Sequence, residues 1–130
     1  MRIFGQIIVF LLLVSCEYSK IKKIAGNYYL VIMAGPEPSI AFHSKYDGSN
    51  YRTVVDGRID SIANDSNYIV VLRKLKSINN DTSEYFIIEI LEELNWHNYS
   101  GVMGPLTRQD FEKRRKEIGI SHLKLRQVDM

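Results

Sequence analysis

Leu13-Val14-Ser15-Cys16 puts the only cysteine of the 130-residue chain behind a branched aliphatic residue and two small ones. Thiol sulfur is a nucleophile that can be alkylated by a diacylglyceryl group. Cleavage before Cys16 then leaves it as a lipidated N-terminus. Each buried acyl methylene contributes about 0.8 kcal/mol, so two or three chains hold a domain stably at a membrane. Upstream, Met1 and Arg2 give a positive start and Ile3 to Val14 a mostly apolar run, which is the layout of a signal peptide. The run is shorter than the roughly 20 residues needed to span a bilayer as a helix. The alternatives are an ordinary secretory signal cut before Glu17 and an uncleaved anchor.

The other residues able to do chemistry are scattered. His43, His97 and His122 are far apart in sequence, and none has metal-ligand spacing to another His, Asp or Glu on a predicted helix. His43 lies on the polar side of an alternating segment beside Lys45 and reads as solvated. Glu92-Glu93 is a carboxylate pair, but neighbours on a strand point to opposite faces and cannot share a proton site. Asp56 and Asp60 lack the alternating acidic pattern and closing Glu of a calcium loop. No nucleophile elbow, phosphate loop or Ser-x-x-Lys motif occurs. These residues predict no catalytic group, no metal and no cofactor.

Lys113-Arg114-Arg115-Lys116 resembles a nucleic-acid patch, a reading that export disfavours, and Glu112 and Glu117 dilute the field; the run reads as a solvated helix face, the alternative being contact with a phospholipid or an acidic partner. Tyrosine is abundant, with 8 residues. Its ring supplies apolar area and its hydroxyl a polar handle, which suits sheet rims or a surface for peptides and glycans. Tyr28, Tyr46, Tyr51, Trp96 and Tyr99 are the candidates for such a binding surface.

Composition limits what surrounds these groups. The chain has 17 basic and 15 acidic residues; losing residues 1–15 removes only Arg2 and leaves one net positive charge, too little for a dedicated polyanion binder. Roughly 115 remaining residues make one domain. With Cys16 committed to lipid, no thiol is left for a disulfide or a cysteine metal site, so packing must supply the stability. Sequons at Asn64, Asn80 and Asn98 reflect turn composition behind a bacterial signal.

The expected organisation is a signal peptide over 1–15, lipidated Cys16 and a tether over 16–25, and a single globular domain over 26–130. Lys20, Lys22 and Lys23 in the tether could gain about 1 kcal/mol each near anionic headgroups, but a solvated linker is the preferred account of them. Tyr28 to Ala34 reads as a buried strand stopped by Gly35-Pro36-Glu37-Pro38. Residues 40–46 alternate as a half-buried strand. Asp56-Gly57 between two extended segments is the strongest hairpin signal. Tyr68 to Leu72 reads as a central strand and Tyr85 to Leu91 as another. Near the C-terminus, Thr107 can cap a helix over 108–118, with Asp110 in its first turn, Leu106 and Phe111 as a hydrophobic staple and Gly119 as its stop. Leu123 and Leu125 suggest a last edge strand. Turn spacing predicts an α+β fold in which an antiparallel β-meander sheet of roughly five to seven strands carries one C-terminal helix.

The lipobox, the Tyr-rich β segment with Asp-Gly turns, and Gly-Pro-Leu-Thr-x-x-x-Phe leading into a charged helix resemble a group of small uncharacterised bacterial lipoproteins. The resemblance spans most of the mature chain. It implies export, anchoring and a single domain, and it transfers no catalytic residue. The expected role is a non-enzymatic binding or accessory lipoprotein on the outer side of a cell membrane or at an outer membrane, held by acyl chains and partnered by another envelope protein. The alternatives are an envelope inhibitor or immunity-type protein, and a small hydrolase using His43 or His97 with a distant carboxylate.

Overall fold

A computed structural model describes residues 20–32, 37–46, 48, 50–76, 78–94 and 101–129. Nine strands and one helix occur among them. Strands β1 (Lys20–Ala25), β2 (Tyr28–Ile32), β3 (Ser39–Phe42) and β4 (Arg52–Val55) form a first antiparallel sheet in the order β1-β2-β3-β4. Strands β5 (Ile59–Asn64), β6 (Tyr68–Lys76), β7 (Asp81–Glu89) and β8 (Val102–Leu106), with β9 (Arg126–Gln127), form a second in the order β8-β7-β6-β5-β9. Helix α1 (Arg108–Ile118) contacts β7 and β8. The α+β class and the C-terminal helix are as expected, while the meander is divided between two sheets rather than laid out in one.

The division explains the apolar run at the heart of β6. Directly opposed residues of antiparallel strands share a face, and β6 and β7 pair Ile69 with Ile88, Val70 with Ile87 and Val71 with Phe86. Ile69, Val71, Phe86 and Ile88 pack with Tyr28, Leu30, Ile40 and Phe42 of the first sheet. Val70 and Ile87 turn the other way and pack with Phe111, Ile120 and Leu123. Covered on both faces over 69–71 and 86–88, β6 and β7 have no polar side to keep there, so alternation gives way to continuous apolar residues.

Helix α1 begins and ends as its caps dictate. The Thr107 hydroxyl accepts from the Asp110 amide at 3.2 Å, and Leu106 and Phe111 meet in the helix-side core. Gly119 has φ 77°, the left-handed conformation that closes a helix C-terminus cheaply only for glycine.

Three expectations are corrected. Asp56-Gly57 closes no hairpin, because β4 pairs with β3 in the first sheet while β5 pairs with β6 and β9 in the second. The positive φ values fall on Gly57 and Arg58, one residue later than a two-residue hairpin turn at Asp56-Gly57 requires. Long-range bonds hold the resulting corner: the Gly57 amide donates to Ser39 Oγ at 2.8 Å and Arg73 Nη1 donates to the Asp56 carbonyl at 2.9 Å. Residues 20–25 of the expected tether are strand β1, paired with β2 from Lys20 opposite Ile32 to Ala25 opposite Tyr28. The last edge strand is β9, just beyond Leu123 and Leu125; Leu123 instead turns back onto α1, its amide bonded to the Ile120 carbonyl at 3.1 Å.

Edge strands advertise unpaired backbone and are usually blunted by charge or proline. Strand β1 carries Lys20, Lys22 and Lys23, and β8 carries Pro105. Among the described residues, no helix is long and apolar enough to cross a membrane.

Candidate functional site

Two surfaces gather chemistry-bearing side chains. The first is aromatic and lies on the outer face of the first sheet. Tyr29 in β2 stands opposite Lys23 on one side and Ala41 on the other, away from the face that Tyr28 and Leu30 turn to the core. His43 follows the end of β3 and Tyr51 precedes β4, so the β3–β4 connection brings both to Tyr29. The Tyr29 and Tyr51 rings meet edge to face with centroids 5.4 Å apart, and His43 lies 4.9 Å from Tyr51 at a tilt of 31°. His43 Nε2 also bonds the Gly48 carbonyl. Tyr29, His43 and Tyr51 are all half-buried.

The expected tyrosine surface is therefore only partly assembled. Tyr28 is fully buried and leaves it: its ring meets Phe42 edge to face at 5.1 Å, and its hydroxyl donates to the Glu89 carbonyl at 3.2 Å. Burial pushes the Tyr28 phenol above its ordinary value. Strand pairing places Tyr28 on the inner face with Leu30, which a tyrosine count alone cannot show. Tyr46 is 76% exposed, with the Lys45 ammonium 5.0 Å from its ring centroid. Tyr51 joins Tyr29 and His43. Cys16, Trp96, His97 and Tyr99 lie outside the described residues. Glu93 accepts from Ser44 Oγ at 2.9 Å, whereas the Glu92 carbonyl accepts from Asn27 Nδ2 at 3.3 Å; among the described residues the two carboxylates have no partner in common.

The second surface is a cleft of about 490 Å³ between β1 and the C-terminal strap of residues 120–129. Sequence reasoning misses it because its two walls come from opposite ends of the chain. Lys22 stands opposite core-facing Leu30, and Arg126 stands opposite Ile62, itself packed against the inter-sheet core. Lys22 and Arg126 therefore both sit on inner faces, each at the open edge of its sheet. Lys124, His122, Asn64, Gln127 and Asp129 add to the polar lining, over a floor that includes Leu30, Ile62 and Leu123. Lys22 Nζ donates across the cleft to the Asp129 carbonyl at 3.3 Å.

Arg115 holds the strap in place. Expected on a solvated face, it is buried at 8% exposure, and its Nη2 donates to the carbonyls of Ser121 and Leu123, both at 2.7 Å. Its guanidinium lies 5.0 Å from the Phe111 ring centroid and pairs with Glu112 at 3.2 Å. Further along, the Val128 amide bonds the Asp60 carbonyl at 2.9 Å, and β9 pairs with β5. Spacing could have found Arg115: it is four residues after Phe111 and three before Ile118, on the buried stripe of the helix.

His122 Nε2 approaches Asp65 Oδ2 at 3.9 Å on an exposed rim. Asp65 is already committed through Oδ1, which accepts from the amides of Asn67 and Tyr68 at 2.7 Å each and so builds the β5–β6 turn. No group of three or more His, Cys, Asp or Glu that could hold a metal occurs among the described residues.

No curated protein and no solved structure matches the chain. Residues 25–129 match a family described as Protein of unknown function (DUF3997). That span takes in every strand after β1, the helix and the strap, and the chain is a member of the DUF3997 family.

Proposed function

We propose that the protein is a lipid-anchored, non-enzymatic binding protein of the bacterial envelope, held by acyl chains on Cys16 and meeting another envelope protein through the aromatic cluster of Tyr29, His43 and Tyr51. The observation that carries this reading is the closeness of the fold to the modification motif. Strand β1 is already paired at Lys20, four residues after Cys16. Four residues reach at most ~14 Å even when fully extended. A domain tied so short works at the membrane surface rather than at the end of a long tether. The aromatic cluster supports a binding role because half-buried rings offer contact area at little cost in side-chain entropy.

Growth with an alkyne-bearing fatty acid tests the anchor. The wild-type protein is expected to incorporate the label and enter the detergent phase on partitioning, while Cys16→Ala loses the label to background. Label retained in Cys16→Ala contradicts the reading.

A further inference from the structure

Edge protection accounts for the lysines of β1 taken alone, but not for the convergence of one of them with cations from the other end of the chain. Lys22 meets Lys124 and Arg126 around one cleft, where Asp129 is the only carboxylate among the described lining residues. Lys124 and Arg126 form no ion pair among the described residues. Asp65, just outside, faces His122, and Asp60 is engaged by Lys74 at 3.6 Å and by Ser61 at 2.6 Å. The cleft is thus a concentrated positive site on a domain that is close to neutral as a whole.

Its shape is as specific as its charge. A volume of about 490 Å³ falls within the roughly 300–1,000 Å³ typical of small-molecule sites. The cations form the rim, and Leu30, Ile62 and Leu123 contribute apolar area below. An occupant complementary to both has a phosphate at one end and hydrocarbon at the other.

We propose that this cleft binds the phosphate headgroup of an anionic phospholipid in the leaflet that carries the acyl chains of Cys16, with the glycerol and first methylenes resting on the apolar floor. The inference rests on the anchoring reading for the choice of lipid over a soluble anion. Since β1 begins at most ~14 Å of chain from Cys16, the cleft wall stays within reach of the headgroup layer. Lipid binding there sets the orientation of the domain: the β1 edge and the strap lie against the membrane and the outer face of the first sheet stands off it.

Protein carrying Cys16, purified from membranes, is reconstituted into vesicles of phosphatidylcholine alone or with phosphatidylglycerol added, and backbone amide exchange is followed over residues 22–24 and 121–129. Phosphatidylglycerol is expected to slow exchange in both segments by at least ~5-fold, the effect of about one cation near an anionic surface. The protection disappears near 1 M salt, where the Debye length is ~3 Å. Lys124→Gln with Arg126→Gln abolishes it, whereas Lys113→Gln with Lys116→Gln, on the other basic stretch, leaves it unchanged. Equal exchange on the two kinds of vesicle overturns the inference, as does full protection by inorganic phosphate without lipid. Flotation with phosphatidylcholine alone reads the anchor separately, so loss of flotation with phosphatidylglycerol protection intact removes the anchoring reading and leaves the cleft.

Discussion

Phe111→Ala is expected to destabilise the protein by about 3–5 kcal/mol, the usual cost of emptying a buried aromatic site. Phe111 is fully buried and stacks on Tyr85 with centroids 4.6 Å apart at 25°. It joins α1 to β7 through Ile87 and to the strap through Ile120 and Leu123. Among the described residues the helix-side core has five buried members, Val70, Ile87, Phe111, Ile120 and Leu123, so the ring is a large share of its volume. For a domain of this size, thermal denaturation should show a fall in Tm of ~10 °C or more. A change of less than ~1 kcal/mol would mean that the helix does not depend on this core.

Arg115→Met is expected to cost on the order of 2–4 kcal/mol, because the buried Leu123 carbonyl and the partly buried Ser121 carbonyl lose their donor at once, and an unmatched buried acceptor costs about 1–3 kcal/mol. Methionine keeps much of the apolar stem but offers no hydrogen to Ser121 or Leu123. The damage should be local in a way that a general loss of stability is not. Exchange protection over residues 121–128 should fall further than protection in β6. Arg115→Lys should recover only part of the loss, since one ammonium lacks the planar fork that reaches two carbonyls. Phe111 and Arg115 touch, so Phe111→Ala combined with Arg115→Met should cost less than the two single changes added together. Strict additivity would show that the guanidinium and the ring act independently.

Arg115 also shows where sequence reasoning succeeds and fails in this chain. The ends of α1 are legible because caps are local: Thr107, Asp110 and Gly119 act within one turn of themselves. The central place of β6 is legible because a strand buried on both faces must be apolar throughout. The basic run of 113–116 hides Arg115, since charge composition suggests solvent while helical spacing puts this one residue beneath the surface.

The corner at Asp56-Gly57 and strand β1 are obscured for a different reason. A turn dipeptide shows that the chain changes direction, but Ser39 and Arg73, distant in sequence, determine that it crosses to the second sheet. Strand β1 has four exposed residues out of six and pairs on one side only, so burial hardly marks it. The cleft is the least legible feature. Lys22 and Arg126 are more than a hundred residues apart, and only the strand registers bring them to facing edges. The tyrosine surface was readable as a residue type but not as an arrangement, since β-strand alternation sends Tyr28 inward and Tyr29 outward.

Lipid attachment is the claim on which the functional account turns, and the intact mass of the protein purified from membranes measures it most directly. The account predicts a chain that starts at Cys16 and carries the added mass of a diacylglyceryl group, with or without a further acyl chain on the new amino terminus. A chain that starts at Glu17 without lipid, or one that retains Met1 and the whole apolar run, would contradict it.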